Sequence, residues 1–257
     1  MIPRMIDTPI HNPAGESLDF RFASATGDTP QRGWLVILAH GVTGNLDRPV
    51  VADTAVALQA AGFDTLRFSF AGNGASEGDF RDATITKETG DLAAVIDAVA
   101  QHYANIAVVG HSMGAAVAVL MAARDTRISA LVSLAGMVDT KRFAETEFGD
   151  ETPDQGAMWE EPDCPLSHAF MADLCDTIKS VTPQAEKISA PWLLVHGTAD
   201  DVVLPIDTET IAKVRGNAVT ARFIDGADHS FSEPAHISAM TRTVADWLTS
   251  VASAGKV

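Results

Sequence analysis

Basic residues are scarce in this chain: 18 lysines and arginines stand against 34 aspartates and glutamates, a formal net charge of -16 over 257 residues. Such a surface repels phosphate backbones and anionic lipid headgroups, so neither nucleic acid nor a membrane is an expected partner. Cysteine is nearly absent too. Cys164 and Cys175 share one polar segment and neither has a CxxC partner, so two free thiols in a reducing compartment are expected rather than a bridge. Without an HExxH pattern or a His/Cys cluster, no metal site is expected. Long apolar runs are missing as well: none approaches the roughly 18 residues that span a bilayer. The opening Met1-Ile2-Pro3-Arg4-Met5-Ile6 lacks the basic flank, apolar stretch and cleavage site of an export signal. A cytoplasmic protein is the expectation.

Apolar residues are plentiful, at 46%, enough for a large core, and α/β chains of this length often form one unit. One domain over 1–257 is expected. Alternation around Ile6 to Ile10 and Leu18 to Phe22, broken by Asn12-Pro13-Ala14-Gly15, predicts a hairpin. Short apolar runs then recur at Trp34 to Ala39, Thr65 to Phe70, Ile106 to Val109, Ile128 to Leu134, Trp192 to Val195 and Val219 to Ile224. Helical spacing appears among them, as in Leu92, Val95, Ile96 and Val99, and again in Ile237, Met240, Val244, Trp247 and Val251. Strands alternating with helices predict an α/β fold, a mostly parallel sheet covered on both faces. The rhythm breaks between about 138 and 187, which predicts a small, partly helical cap over the carboxyl ends of the strands.

Gly110-His111-Ser112-Met113-Gly114 follows an apolar run and precedes a small-residue stretch, the strand-turn-helix setting that gives GxSxG chemical meaning. A serine hydroxyl needs a base to take its proton and a carboxylate to orient that base. Asp200 lies just after the run ending at Val195, and His229 just after the run ending at Ile224. The order Ser112, Asp200, His229 is nucleophile, acid, histidine, that of α/β-hydrolases. The oxyanion formed on attack needs fixed donors, and the backbone N–H groups of Met113 and of Val42, in His40-Gly41-Val42-Thr43-Gly44, are the candidates. Asp139 is an alternative acid position and His236 a rival base. Asp225 and Asp228 read as loop caps, and His40 and His196 as hydrogen-bonded structural residues. His111 is expected to aim away from the site and pack.

These motifs, together with Phe68 to Gly78 and Asp228-His229-Ser230-Phe231, resemble those of α/β-hydrolase serine esterases similar to feruloyl and cinnamoyl esterases, monoacylglycerol lipases and serine aminopeptidase-like hydrolases. Ser69, Ala71 and Asn73 stand where that family commonly has Asp, Arg and His, departures that bear on local hydrogen bonding. The resemblance implies hydrolysis of a small-molecule ester through an acyl-serine intermediate, with no cofactor. Small to medium uncharged acyl groups or feruloyl-type aromatic esters are the expected substrates. Thioester or amide hydrolysis, and a binding protein on a hydrolase fold, are the alternatives. Phe143, Phe148, Met158, Trp159, Phe170 and Met171 are the candidate substrate-lining residues of the cap. Oligomeric state is not legible.

Overall fold

A computed structural model describes residues 8–254. The expected hairpin is a short one: β1 (Ile10–His11) pairs antiparallel with β2 (Ser17–Leu18). Asn12 makes the turn, its side-chain oxygen accepting from the N–H groups of Ala14 and Glu16. The chain then departs from the expectation, because β3 (Phe20–Ala23) pairs not with the first strand but antiparallel with β5 (Asp64–Phe68) in the main sheet. Ile6, expected in the first strand, lies outside the described residues.

The main sheet has seven strands in the order β3-β5-β4-β6-β7-β8-β9, where β4 is Trp34–Ala39, β6 Asn105–His111, β7 Ile128–Leu134, β8 Trp192–Gly197 and β9 Val219–Ile224. Every pairing but that of β3 is parallel. All six strands expected from apolar runs are present. Helices α1 (Pro49–Ala60), α2 (Ile85–Val99) and α3 (Met113–Ala122) connect the first strands. Between β7 and β8 come α4 (Thr140–Phe148), α5 (His168–Ala172), a π-helical turn at Asp173–Ile178 and α6 (Thr182–Ala185). Helices α7 (Ile206–Arg215) and α8 (Pro234–Ala254) complete the chain. No helix among the described residues is long and apolar enough to cross a membrane.

Alternation along β4 divides the core. Leu35, Ile37 and Ala39 point into the layer filled by α2 and α3, while Trp34, Val36 and Leu38 meet α1 and α8 on the other face. Each large side chain taken out of water contributes roughly 1.5–3 kcal/mol, so a one-residue slip of this strand would be prohibitive. Helix α3 is buried on nearly every side. Its run of glycine and alanine lets the backbone press onto the sheet, and that close seat holds the residue preceding it, Ser112.

Helix α2 carries an acid on its buried side. Glu88 is fully enclosed, its Oε2 has no hydrogen-bond partner among the described residues, and burial, then the charges of Asp91 and Asp173, push its carboxyl well above 4.5. Above the usual value the unfolded chain gives up this proton while the folded chain keeps it, so stability falls as pH rises. Glu88→Gln is therefore expected to raise the melting temperature at pH 8 and to lose that advantage as the pH approaches 4, by about 2–4 °C for each kcal/mol recovered. Thermal melts of both proteins across that range check it; a benefit independent of pH would contradict an uncharged Glu88.

Candidate active site

The topology places the site. From β4 the chain crosses to β5 on one side and then returns to β6 on the other, so the loops leaving β4 and β6 diverge over a crevice at adjacent carboxyl ends. Ala39 pairs with Gly110 in that register, which brings His40 to Gly44 beside His111 and Ser112. Ser112 has φ 55° and ψ -121°, a left-handed backbone that a non-glycine residue adopts only where its surroundings enforce it. Its N–H is held by the carbonyl of Leu134 at 2.9 Å. The flanking glycines are steric necessities: a side chain on Gly110 would run into the Gly114 carbonyl, and one on Gly114 into the carbonyl of His40. Gly41 is as constrained, since a Cβ there would sit 2.8 Å from that of Ser112.

Asp200 comes from the exit of β8 and His229 from that of β9. His229 Nδ1 lies 2.9 Å from Asp200 Oδ2. The carboxylate only accepts, so Nδ1 carries the hydrogen and Nε2 keeps its lone pair. Asp200 Oδ1 accepts from the N–H groups of Val202 and Val203, at 3.1 and 2.9 Å. Burial by itself would raise the Asp200 carboxyl. Hydrogen bonds from His196 and His229, with their Coulombic attraction, outweigh burial and hold it well below the usual carboxylate range. Asp201 is exposed beside it, and Asp139 is engaged elsewhere, capping α4 through the Arg142 N–H. Asp225 and Asp228 serve their loops, as expected: Asp225 accepts from the Thr198 hydroxyl and Asp228 from the Ser232 N–H. His236 already belongs to α8.

Ser112 and His229 line one cavity of about 730 Å³, together with Gly41, Val42, Thr43 and Trp159. Met113 opens α3, where its N–H is among those with no intrahelical acceptor. The loop that offers Val42 is tied down from both ends. His40 Nε2 accepts from the Phe70 N–H at 3.0 Å, so its Nδ1 donates to the Gly41 carbonyl at 2.8 Å, and burial pushes the ring down to about 4. Arg48 donates to the carbonyl of Thr43, itself left-handed at φ 54°.

Of the six candidate substrate residues only Trp159 lines this cavity. Phe143, Phe148, Met158 and Phe170 are buried in the core, and Met171 packs against it. Sequence could not separate these roles, because both require apolar side chains in a helical segment. Trp159 differs in its backbone, at φ 48°. Its ring stays half exposed against Phe148, centroids 4.9 Å apart, with its N–H on Glu147.

His111 corrects a second expectation. Its side chain does not aim away: it lines the cavity, its ring lies 4.9 Å from that of His229, and its Nε2 donates to the His229 carbonyl at 3.0 Å. Burial first, then the neighbouring His229, lowers it to about 3, so it acts as a neutral donor fixing the backbone of the loop. Nothing local could reveal this, since the two residues are 118 positions apart. The departures at Ser69, Ala71 and Asn73 also find their reason. Ser69 Oγ accepts from the Leu46 N–H, Asn73 donates to the Ala71 carbonyl, and Asp91 takes the Ala71 N–H.

A model of the prolyl oligopeptidase family matches residues 52–255. No curated protein sequence matches the chain. Solved structures similar to it include Est1E from Butyrivibrio proteoclasticus with ferulic acid bound, 24% identical over 96% of this chain and 99% of that one, with a TM-score of 0.83. The monoacylglycerol lipase of Paleococcus ferrophilus is 22% identical over 91% and 99% of the two chains, TM-score 0.71. The esterase Pf2001 of Pyrococcus furiosus is 20% identical over 94% and 90%, TM-score 0.72. At these identities the likeness is one of fold, and the fold is that of the α/β-hydrolases.

Proposed function

The chain belongs to the prolyl oligopeptidase family of α/β-hydrolases, and from that premise we propose that it is a serine hydrolase cleaving carboxylic esters through an acyl-serine intermediate. The observation that carries this reading is the 2.9 Å contact between His229 and Asp200, with His229 and Ser112 on the wall of one cavity. In the proposed reaction Nε2 of His229 takes the Ser112 proton as the hydroxyl oxygen attacks the ester carbonyl. The Val42 and Met113 N–H groups receive the oxyanion, at the head of a helix whose dipole favours negative charge. His229 then protonates the leaving alcohol, and the same nitrogen activates water to release the acid. Asp200 stays ionised throughout and keeps the imidazole in the required tautomer.

Trp159 supports an aromatic or alkyl acyl group. Its half-exposed indole offers a flat apolar wall to the cavity that Ser112 also lines, in the segment proposed as the cap. Est1E, similar in fold, holds ferulic acid, which favours including methyl ferulate among the substrates tried. A second reading, amide hydrolysis, is favoured by the family's description as oligopeptidases. Two measurements test the proposal. A fluorophosphonate is expected to label Ser112 in the folded protein, and labelling that misses this residue would end the serine-hydrolase reading. Rates on short and medium p-nitrophenyl esters and methyl ferulate are expected to exceed those on acyl-coenzyme A and amino-acid p-nitroanilides; the reverse order would move the reading to a thioesterase or amidase.

A further inference from the structure

Asp200 is gripped by two histidines. Besides His229, the Nε2 of His196 lies 3.1 Å from the same carboxylate oxygen, Oδ2, and 2.8 Å from the carbonyl of Val203. Both partners only accept, so this nitrogen carries a hydrogen and shares it between them. His196 Nδ1 lies 2.8 Å from the Thr208 hydroxyl on α7, which donates to it when the ring is neutral. The ring is wholly buried at the end of β8. Val203 completes a closed circuit: its carbonyl receives His196, and its N–H holds Asp200 Oδ1 at 2.9 Å. No part of the proposed reaction uses His196, yet it is built onto the oxygen that His229 depends on.

We propose that His196 is a positioning residue which, anchored by Thr208, fixes Asp200 Oδ2 for His229 and withdraws part of that oxygen's charge, thereby setting the pH at which the site becomes active. The inference rests on the serine-hydrolase reading above. An oxygen that accepts two N–H donors attracts the proton of His229 less strongly than one that accepts a single donor. Removing the His196 donor concentrates charge toward His229, favours its protonated form, and moves the acid limb of activity to higher pH. Other groups facing the pair are His111 on β6, which donates to the His229 backbone, and Asp228 in the loop before α8. Arg48 and Asp53, at the start of α1, are the charged residues of the cavity wall. All four are unchanged in the variants below, so a shift of the limb reports the Asp200 oxygen.

The test compares His196→Phe, His196→Gln and Thr208→Val with the unaltered protein, after fluorophosphonate labelling has established Ser112 as the nucleophile and supplied the active concentration. Failure to label Ser112 overturns the functional reading itself, apart from anything the His196 variants do. With labelling in hand, His196→Phe is expected to lower kcat by roughly 10- to 30-fold, the loss of one hydrogen bond to a charged acceptor, with KM little changed. Its acid limb in kcat/KM is expected to move up by roughly half a unit to one unit. His196→Gln, which restores an N–H near the Nε2 position, recovers most of both effects. Thr208→Val frees the ring to adopt its other tautomer and gives a smaller shift in the same direction; it decides the matter if His196→Phe does not fold. An acid limb that stays in place in every folded variant, with glutamine no better than phenylalanine, would overturn the proposal.

Discussion

Ser112→Ala is expected to reduce kcat on p-nitrophenyl esters by on the order of 10⁶-fold, the scale seen when a triad serine is removed, because the remaining groups then act only on water. The fold should tolerate the change. The backbone at Ser112 is held by contacts that do not involve its hydroxyl: the N–H bonds to Leu134, and the Ser112 carbonyl accepts from the N–H groups of Ala115 and Met137. Alanine at φ 55° bears the same strain as serine, so the melting temperature should stay within a degree or two of the original. Initial rates with enzyme purified free of host esterases, set beside a thermal melt, check both halves. Undiminished hydrolysis by a folded alanine variant would remove Ser112 from the mechanism.

The second large effect is expected from Asp200→Asn, a change of one atom. Every partner of this carboxylate is a donor: the Val202 and Val203 N–H groups at one oxygen, the His229 and His196 rings at the other. An amide nitrogen at either end meets donors. Turned toward the valines, it confronts two backbone N–H groups. Turned toward the histidines, it can keep a hydrogen bond to His229 only by making Nδ1 an acceptor, which moves the imidazole hydrogen to Nε2, the position that takes the serine proton in the proposed reaction. The loss of kcat is expected to be about 10⁴-fold, as for the wrong tautomer in other serine triads. KM for the ester should change little, since Asp200 is buried behind His229 and does not line the cavity. A variant that retained kcat within about tenfold of the original would show that Asp200 does not hold the tautomer.

Both results depend on an arrangement that was partly readable in the chain. The serine turn announces itself within five residues, because the steric demands of a strand meeting a helix through a strained residue fall on its immediate neighbours, Gly110 and Gly114. The strands were readable for a similar reason: β4 and β6, buried on both faces, appear as unbroken apolar runs. The third strand was misassigned to the hairpin because alternation specifies a half-buried strand but not the neighbour it pairs with. The residues between β7 and β8 were the least readable. Phe148 and Trp159 lie in contact and have the same chemical character, yet one is core and the other cavity wall, a distinction that rests on the left-handed backbone at Trp159.

From sequence alone came the fold class, the candidate nucleophile and its turn, and the order of candidate acid and base along the chain, since each is set by sterics and periodicity acting over a few residues. Tertiary structure alone decided that His111 braces the His229 backbone, that His196 shares the Asp200 oxygen, and that Trp159 is the one of the six candidate substrate residues to reach the cavity. The first of those contacts joins two strand exits brought together by the register of a seven-stranded sheet. A hydrogen bond a few ångströms long depends on the summed geometry of every strand between its partners, and no local pattern carries that information.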